Sequence, residues 1–150
     1  EMIVNRLATA LYELSKEGKV PPRMVLFEEA HNYCPQGEVK ACSKIIRTIA
    51  AEGRKFGLGL CIITQRPARV DKSVLSQCNT QLILKITNPL DLKAVTSSIE
   101  GLTRGMDDEI QRLPIGMALI AGGNLGFPMI VEVRSRETKH GGESIKVIDD

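Results

Sequence analysis

The sequence predicts an α/β domain: a mainly parallel sheet flanked by helices, with an antiparallel hairpin at its edge. Three observations lead there. Short unbroken apolar runs, Met24–Phe27 and Leu58–Ile63, alternate with segments of helical periodicity, the pattern of strands covered on both faces by crossover helices. Two later runs, Gly116–Ala121 and Phe127–Val133, flank the turn-forming stretch Gly122–Gly126, a hairpin signal. The 150 residues, 43% hydrophobic and 25% charged, suffice for one globular core but not comfortably for two.

Taken in order, Ile3, Leu7, Leu11 and Leu14 recur at helical spacing and predict a first helix with these residues as its apolar stripe. Gly18 ends it and Pro21-Pro22 prevents its resumption. Met24–Phe27 is the first buried strand, stopping abruptly at Glu28-Glu29. A helix is expected over 38–57, striped by Val39, Cys42, Ile45, Ile46, Ile49 and Phe56 and stopped by Gly57. Leu58–Ile63 is the second strand, running into Thr64-Gln65-Arg66-Pro67, and a short helical turn follows through Val74 and Leu75. Leu82–Ile86 is a third strand candidate. Pro89 opens a helix to about Ile99, from a first-turn position that proline tolerates. A short helix over Asp107–Leu113 precedes the hairpin. One domain is expected over residues 1–133, with 134–150, including Gly141-Gly142, as a tail or the start of a further segment. The chain goes from Glu1 directly into a helical pattern, which reads as a piece of a longer protein.

Composition narrows the function classes. A net charge of +2 is too small to argue for nucleic-acid binding by itself. With no Trp, two Tyr and three Phe, stacking platforms for single strands are disfavoured. Cys34, Cys42, Cys61 and Cys78 form no CxxC pair and have no histidines at zinc spacing, which suits a reduced, cytoplasmic protein. No apolar stretch approaches a membrane span.

In an open α/β sheet, ligands bind beyond the carboxyl ends of the strands. Two places qualify. An apolar strand ending in Glu28-Glu29 matches the Walker B arrangement of P-loop ATPases: Glu28 would hold Mg²⁺, directly or through water, and Glu29 would polarise the water attacking the γ-phosphate. The same pair also suits a solvated strand end. Thr64-Gln65 ends the next strand. A neutral amide there can bond the γ-phosphate or the lytic water without competing for the metal, although alone it is an ordinary polar pair. Acids on one strand tip and Thr-Gln on the next, with a helix between, match a RecA-like ATPase core.

With these in place a resemblance becomes specific. Phe27-Glu-Glu-Ala-His-Asn-Tyr33, Ala51-Glu-Gly-Arg-Lys-Phe-Gly-Leu-Gly-Leu60, Ile63-Thr-Gln-Arg-Pro67 and Leu75-Ser-Gln-Cys-Asn-Thr-Gln81, followed by Asn88-Pro89, resemble segments of the HerA family of hexameric DNA translocases. The similarity runs from about residue 24 to 133. It implies the C-terminal part of an ATPase domain, driven by ATP and Mg²⁺, that pulls duplex DNA as a homo-hexamer and works with a NurA-type nuclease in processing DNA ends for repair. It makes Arg54 an arginine finger entering the neighbouring subunit's site, a role suited to a planar permanent cation. Without the resemblance, Arg47, Arg54 and Lys55 read as the solvated face of a helix. Arg66 is a further candidate for a phosphate or interface contact. His31 is expected to hydrogen-bond near the strand end and relay the nucleotide state to a loop. Arg69, Lys72 and Lys93 are candidates to touch DNA phosphates in a channel, against the plainer reading of solvated loop charges.

Glu28 stands where many Walker B motifs carry Asp, moving the carboxylate by about a bond length, which a water-mediated Mg²⁺ contact absorbs. No GxxxxGK[ST] occurs in these residues. The resemblance places that loop and a central strand upstream, so these residues alone are expected to be inactive and to expose a sheet edge. Three other readings remain. The acids are also similar to the DEAH box of superfamily II helicases, against which Gly53–Gly57 and Thr64–Pro67 speak. Conjugation and secretion ATPases are built on the same core. A non-catalytic α/β interaction module would explain the missing phosphate loop.

Overall fold

The computed structural model describes residues 1–99, 105–123 and 125–139. Asn124 of the expected hairpin turn, and residues 140–150 of the expected tail, lie outside the described residues.

Two sheets form. Strand β1 (Arg23–Glu28) pairs in parallel with β2 (Leu58–Ile63), in register from Arg23↔Leu58 to Glu28↔Ile63. The crossover between them carries helix α2 (Ser43–Glu52), as a parallel pair requires. Helix α1 (Met2–Lys16) precedes β1, and α3 (Lys72–Gln77) follows β2. The second sheet is antiparallel, in the order β3 (Thr80–Ile83), β4 (Met117–Gly122), β5 (Met129–Glu132). Helices α4 (Pro89–Thr96) and α5 (Met106–Arg112) lie in the connection from β3 to β4. The α/β class and the hairpin are as expected, and among the described residues no strand ladder joins the two sheets.

The third strand differs from its expectation. It begins at Thr80 rather than Leu82, ends at Ile83, and pairs antiparallel with β4. Gly122 and Gly123 set this register. Both have positive φ, a Cβ on Gly122 would fall 2.0 Å from the Asn79 carbonyl oxygen, and the Gly123 amide donates to that oxygen at 2.7 Å. Only a residue without a side chain admits that approach.

Helix α1 ends as its sequence predicts. Gly18 adopts φ 67°, its amide donates to Ser15, and that of Lys19 donates to Leu14, a Schellman closure. Its buried face is a correction. Ala8, Tyr12 and Ser15 are buried, whereas Ile3, Leu7 and Leu14 of the expected stripe are exposed. Tyr12 explains the choice: its hydroxyl donates to Glu52 Oε1 at 2.5 Å and its ring meets Phe56 edge-on, with centroids 5.8 Å apart. A buried phenol needs such a partner.

Helix α2 is shorter than expected. Its first residue is Ser43, and Val39, assigned to its stripe, is 77% exposed. The chain ahead of it is drawn elsewhere: Cys42 Sγ and Ser43 Oγ both donate to the Tyr33 carbonyl, and Ser43 Oγ accepts from the Lys40 amide. At its other end α2 passes into a 3₁₀ turn, Gly53–Phe56.

Two apolar clusters result. Phe27, Ile45, Ile46, Ile49, Leu58, Val70 and Val74 centre one on the parallel pair, and Ile83, Leu92, Val95, Ile110, Leu113 and Leu119 centre the other on β3 and β4. The expectation that β1 is covered on both faces is not met among the described residues, since Met24 and Leu26 are 62% and 60% exposed. Leu26 lines a groove of about 260 Å³ between α1 and β1.

Gly53 is a point of close contact, because a Cβ there would lie 2.6 Å from the Leu58 carbonyl oxygen and 3.1 Å from Ile49 Cγ2. Gly53→Ala is expected to destabilise the fold by about 1–3 kcal/mol, read as a lower denaturation midpoint in urea. An unchanged midpoint would mean that the turn has room to shift.

Candidate functional site

The β1–β2 register places Glu28 opposite Ile63, so Glu29 and Thr64 leave the sheet side by side at its carboxyl end. Glu29 has φ 51° and ψ 48°, and among the described residues it is the one non-glycine with positive φ. Such a conformation costs about 1–3 kcal/mol and persists where surrounding structure imposes it. The next residues form a 3₁₀ turn, Ala30–Asn32, anchored by the fully buried Ala30. The chain thus bends sharply at Glu29.

Four polar side chains meet there. Glu29 Oε1 accepts from Gln65 Nε2 at 3.1 Å. Glu29 Oε2 lies 3.3 Å from His31 Nδ1, yet it is closed off from solvent and has no aligned hydrogen-bond partner. His31 Nδ1 is hydrogen-bonded with Thr64 Oγ1 at 3.1 Å, and Thr64 Oγ1 accepts the Arg66 amide at 3.0 Å. The structure therefore brings together Glu29, His31, Thr64 and Gln65. Glu28 is apart from them: exposed, it lines the groove between α1 and β1. Among the described residues no three His, Cys, Asp or Glu side chains gather as a metal site. A Mg²⁺ ion at Glu28 would thus take most of its ligands from phosphate and water, as Mg²⁺ commonly does.

Two buried carboxylates hold the strand-tip loops, and sequence reading missed both. Asp71 caps α3 through the Ser73 amide at 2.9 Å and receives Arg47 through Nε at 2.9 Å and Nη2 at 2.5 Å. Burial alone would raise its carboxyl, but the hydrogen bonds from Ser73 and Arg47 prevail and hold it below the ordinary value. Arg47 is accordingly not the solvated residue its helical spacing suggests. The Asp71 amide also donates to Cys34 at 2.9 Å, the Gln36 amide to Arg69 at 2.7 Å, and the Lys72 amide to Gln36 Oε1 at 2.9 Å. These bonds stitch the loop after Glu29 to the loop after Gln65. The Asp71-Lys-Ser73 order carried a legible capping signal; the pairing with Arg47 did not.

Asp91, 4% exposed, accepts the Ala68 amide at 3.0 Å and lies 3.7 Å from Arg66 Nε. It ties α4, and with it the second apolar cluster, to the loop after β2. Arg66, expected at phosphate or an interface, is thus directed toward α4, with its side chain 47% exposed. Asp91 falls in the first turn of a helix, which gave no sign of a tertiary role.

Arg54 is exposed on the turn Gly53–Phe56, and its side chain has no hydrogen bond or ion pair among the described residues. The turn is braced by the Tyr12–Glu52 hydrogen bond, which with burial and the Glu52 charge pushes the Tyr12 hydroxyl up to about 12. Arg54 lies in the turn before β2 and Thr64 just after its end, and the strand between them spans roughly 20 Å at the usual rise per residue. The structure does not bring Arg54 to Glu29 within one chain. Arg69 and Lys72 are exposed after β2 and Lys93 is exposed on α4.

No family model matches the chain. It is 38% identical to the DNA double-strand break repair helicase HerA of Pyrococcus furiosus, over 89% of this chain and 26% of that protein. It is 37% identical to the probable HerA of Methanocaldococcus jannaschii, over 86% and 26%, and 36% identical to HerA of Saccharolobus solfataricus, over 79% and 24%. The chain spans about a quarter of the length of these relatives. The HerA resemblance read from the motifs is thus borne out as homology to part of those proteins. Among solved structures, the DNA-packaging ATPase B204 of Sulfolobus turreted icosahedral virus superposes with a TM-score of 0.71 at 18% identity, over 90% of this chain and 62% of that one. VirB4 of Thermoanaerobacter pseudethanolicus superposes with a TM-score of 0.66 at 14% identity, over 87% and 36%. These likenesses establish that the chain shares the α/β fold of these proteins. No helix among the described residues is long and apolar enough to cross a membrane.

The Asp91 brace yields a direct check. Asp91→Ala removes the acceptor of the Ala68 amide, so hydrogen exchange at Ala68 should accelerate by about tenfold or more, the equivalent of a hydrogen bond of roughly 1.5 kcal/mol. Asp91→Asn keeps an acceptor oxygen and should stay near wild type; equal exchange in all three proteins would mean that Asp91 does not hold the loop.

Proposed function

We propose that this chain is the C-terminal part of the motor domain of a HerA-type, ATP-driven translocase or helicase that acts on duplex DNA in the processing of ends for repair. The observation that carries this reading is the junction of Glu29, Gln65 and Thr64 at the carboxyl ends of adjacent parallel strands. There Glu29 accepts the proton of the attacking water, while Gln65, which already bonds the same carboxylate, orients that water. Thr64 offers a polar contact to the γ-phosphate side, whereas Arg66 is directed toward Asp91 and would have to turn from it to add one. Glu28, exposed beside the groove between α1 and β1, is the candidate to hold Mg²⁺, which would supply charge neutralisation on the phosphates. The enclosed, unpartnered Oε2 of Glu29 fits a site completed by other groups.

The segment 1–133 belongs, in this reading, to a larger ATPase domain whose phosphate-binding loop lies in another part of the protein; alone these residues do not hydrolyse ATP. The exposed Met24, Leu26 and Leu7 support burial against further chain. Arg54 serves as an arginine finger for a neighbouring subunit in a homo-hexamer. Its place at the far end of β2 from Glu29, its exposure and its braced turn favour action across an interface. Arg69, Lys72 and Lys93 face DNA phosphates, and a NurA-type nuclease is the partner. A second reading, a secretion pump, is compatible with the same fold; turnover stimulated by polypeptide and not by duplex DNA would favour it.

The test uses the whole protein that contains this segment. Glu29→Gln and Arg54→Ala are each expected to lower DNA-stimulated ATP turnover by roughly 10³-fold. Mixed and allowed to exchange subunits, the two variants should recover turnover, because an Arg54→Ala subunit retains Glu29 and receives Arg54 from its Glu29→Gln neighbour. No recovery in rings proven to be mixed would sink the composite site.

A further inference from the structure

His31 stands between the two strand tips, and the hydrolytic roles above leave it without a task. Its Nδ1 lies 3.1 Å from Thr64 Oγ1 and 3.3 Å from Glu29 Oε2. In the tautomer with the proton on Nδ1, which the facing Glu29 carboxylate favours, the nitrogen has a single proton and donates squarely to one of these oxygens at a time. Here the hydrogen bond is with Thr64, and the nearby Glu29 oxygen, closed off from solvent, is left without one. Leaving a buried carboxylate oxygen unsatisfied is costly, so that oxygen is a waiting acceptor. The ring is well placed to serve both oxygens. It rides on the turn anchored by buried Ala30, and its side chain is only 19% exposed.

We propose that His31 is a positioning residue that couples occupation of Thr64 to the orientation of Glu29. When the Thr64 hydroxyl turns to a phosphate oxygen, the Nδ1–H hydrogen bond passes to Glu29 Oε2. The carboxylate is then fixed from one side by His31 and from the other by Gln65, and it holds the attacking water only when a nucleotide is in place. No bond is made or broken at His31; one hydrogen bond exchanges its acceptor. This inference rests on the ATP-hydrolysis reading and deepens it.

The experiment measures steady-state ATP turnover by the whole protein with His31→Ala, His31→Asn and His31→Gln. Asparagine places an amide N–H near the position of Nδ1, whereas glutamine places it near Nε2, out of reach of both oxygens. His31→Ala and His31→Gln should lower kcat by about 10- to 100-fold, the usual loss for a removed outer partner, with KM for ATP changed by no more than about twofold. His31→Asn should keep kcat within about fivefold of wild type. Equal kcat for the Asn and Gln variants, an unaffected Ala variant, or a change confined to KM would each overturn the proposal while leaving the hydrolysis reading intact. A wild-type protein with no ATP turnover overturns the hydrolysis reading, and His31's role falls with it.

Discussion

The parallel ladder between β1 and β2 is the constraint on which the rest depends. A parallel pair sends both chains out of the same end of the sheet, and the register Glu28↔Ile63 makes the next residues, Glu29 and Thr64, neighbours. An antiparallel pairing of the same strands would leave them at opposite ends. Glu29 then takes its left-handed conformation as the chain turns from β1 into the buried Ala30. The strain at Glu29 is imposed by the packing of its neighbour, and it aims the carboxylate at the tip of the adjacent strand instead of along its own.

Strand tips alone do not hold loops still. The stretch after Glu29 and the stretch after Gln65 are fastened to each other through Cys34, Gln36, Arg69 and Asp71, with Arg47 of α2 beneath them. Asp91 adds a tie from the opposite direction, reaching out of the second apolar cluster to the Ala68 amide. The two clusters share no strand ladder among the described residues, so this buried carboxylate is a mechanical link between them. A charge buried in such a position requires partners to be tolerated, and it has the Ala68 amide at 3.0 Å and the Arg66 guanidinium 3.7 Å away.

Much of this was legible in the sequence, for physical reasons that also set the limit. Apolar runs ending in Glu28-Glu29 and Thr64-Gln65 announce strand tips because a buried strand must become polar where it leaves the core. The Gly18 stop and the Pro89 start were equally readable, since helix ends are local chemistry; the cap itself, Asn88 accepting from the amides of Leu90 and Asp91, is added by the structure. The buried face of α1 was not readable. Ile3, Leu7, Leu11 and Leu14 have the same period as Val4, Ala8, Tyr12 and Ser15, one residue offset, and only the position of Glu52 and Phe56 in space selects the second set. The partner of β3 was hidden for the same reason, being set by how closely Asn79 approaches Gly122 and Gly123. Arg47 with Asp71, and Asp91 with Ala68, are contacts between residues more than twenty positions apart, beyond what periodicity or capping reports.

The chemistry around Glu29 has a direction that follows from which groups are absent from its immediate contacts. Its contacts are a neutral amide, Gln65, and an imidazole, His31; no lysine or arginine is paired with it among the described residues. A cation within about 4 Å would hold the carboxylate in a tight ion pair and take the place a water needs. Arg66 is the cation best placed to intrude, since its own amide bonds Thr64, yet Asp91 draws its guanidinium toward α4. Asp91 therefore does two things with one carboxylate: it pins the loop through Ala68, and it keeps Arg66 from collapsing onto Glu29. In the isolated chain the positive charge that phosphoryl transfer requires is correspondingly lacking beside Glu29. Under the proposed function that charge would come from outside these residues, with Arg54 of a neighbouring subunit as one source. What these residues contribute themselves is an acceptor held by a neutral amide and an imidazole, which leaves room for a water beside Glu29 and for cations supplied by groups that complete the site.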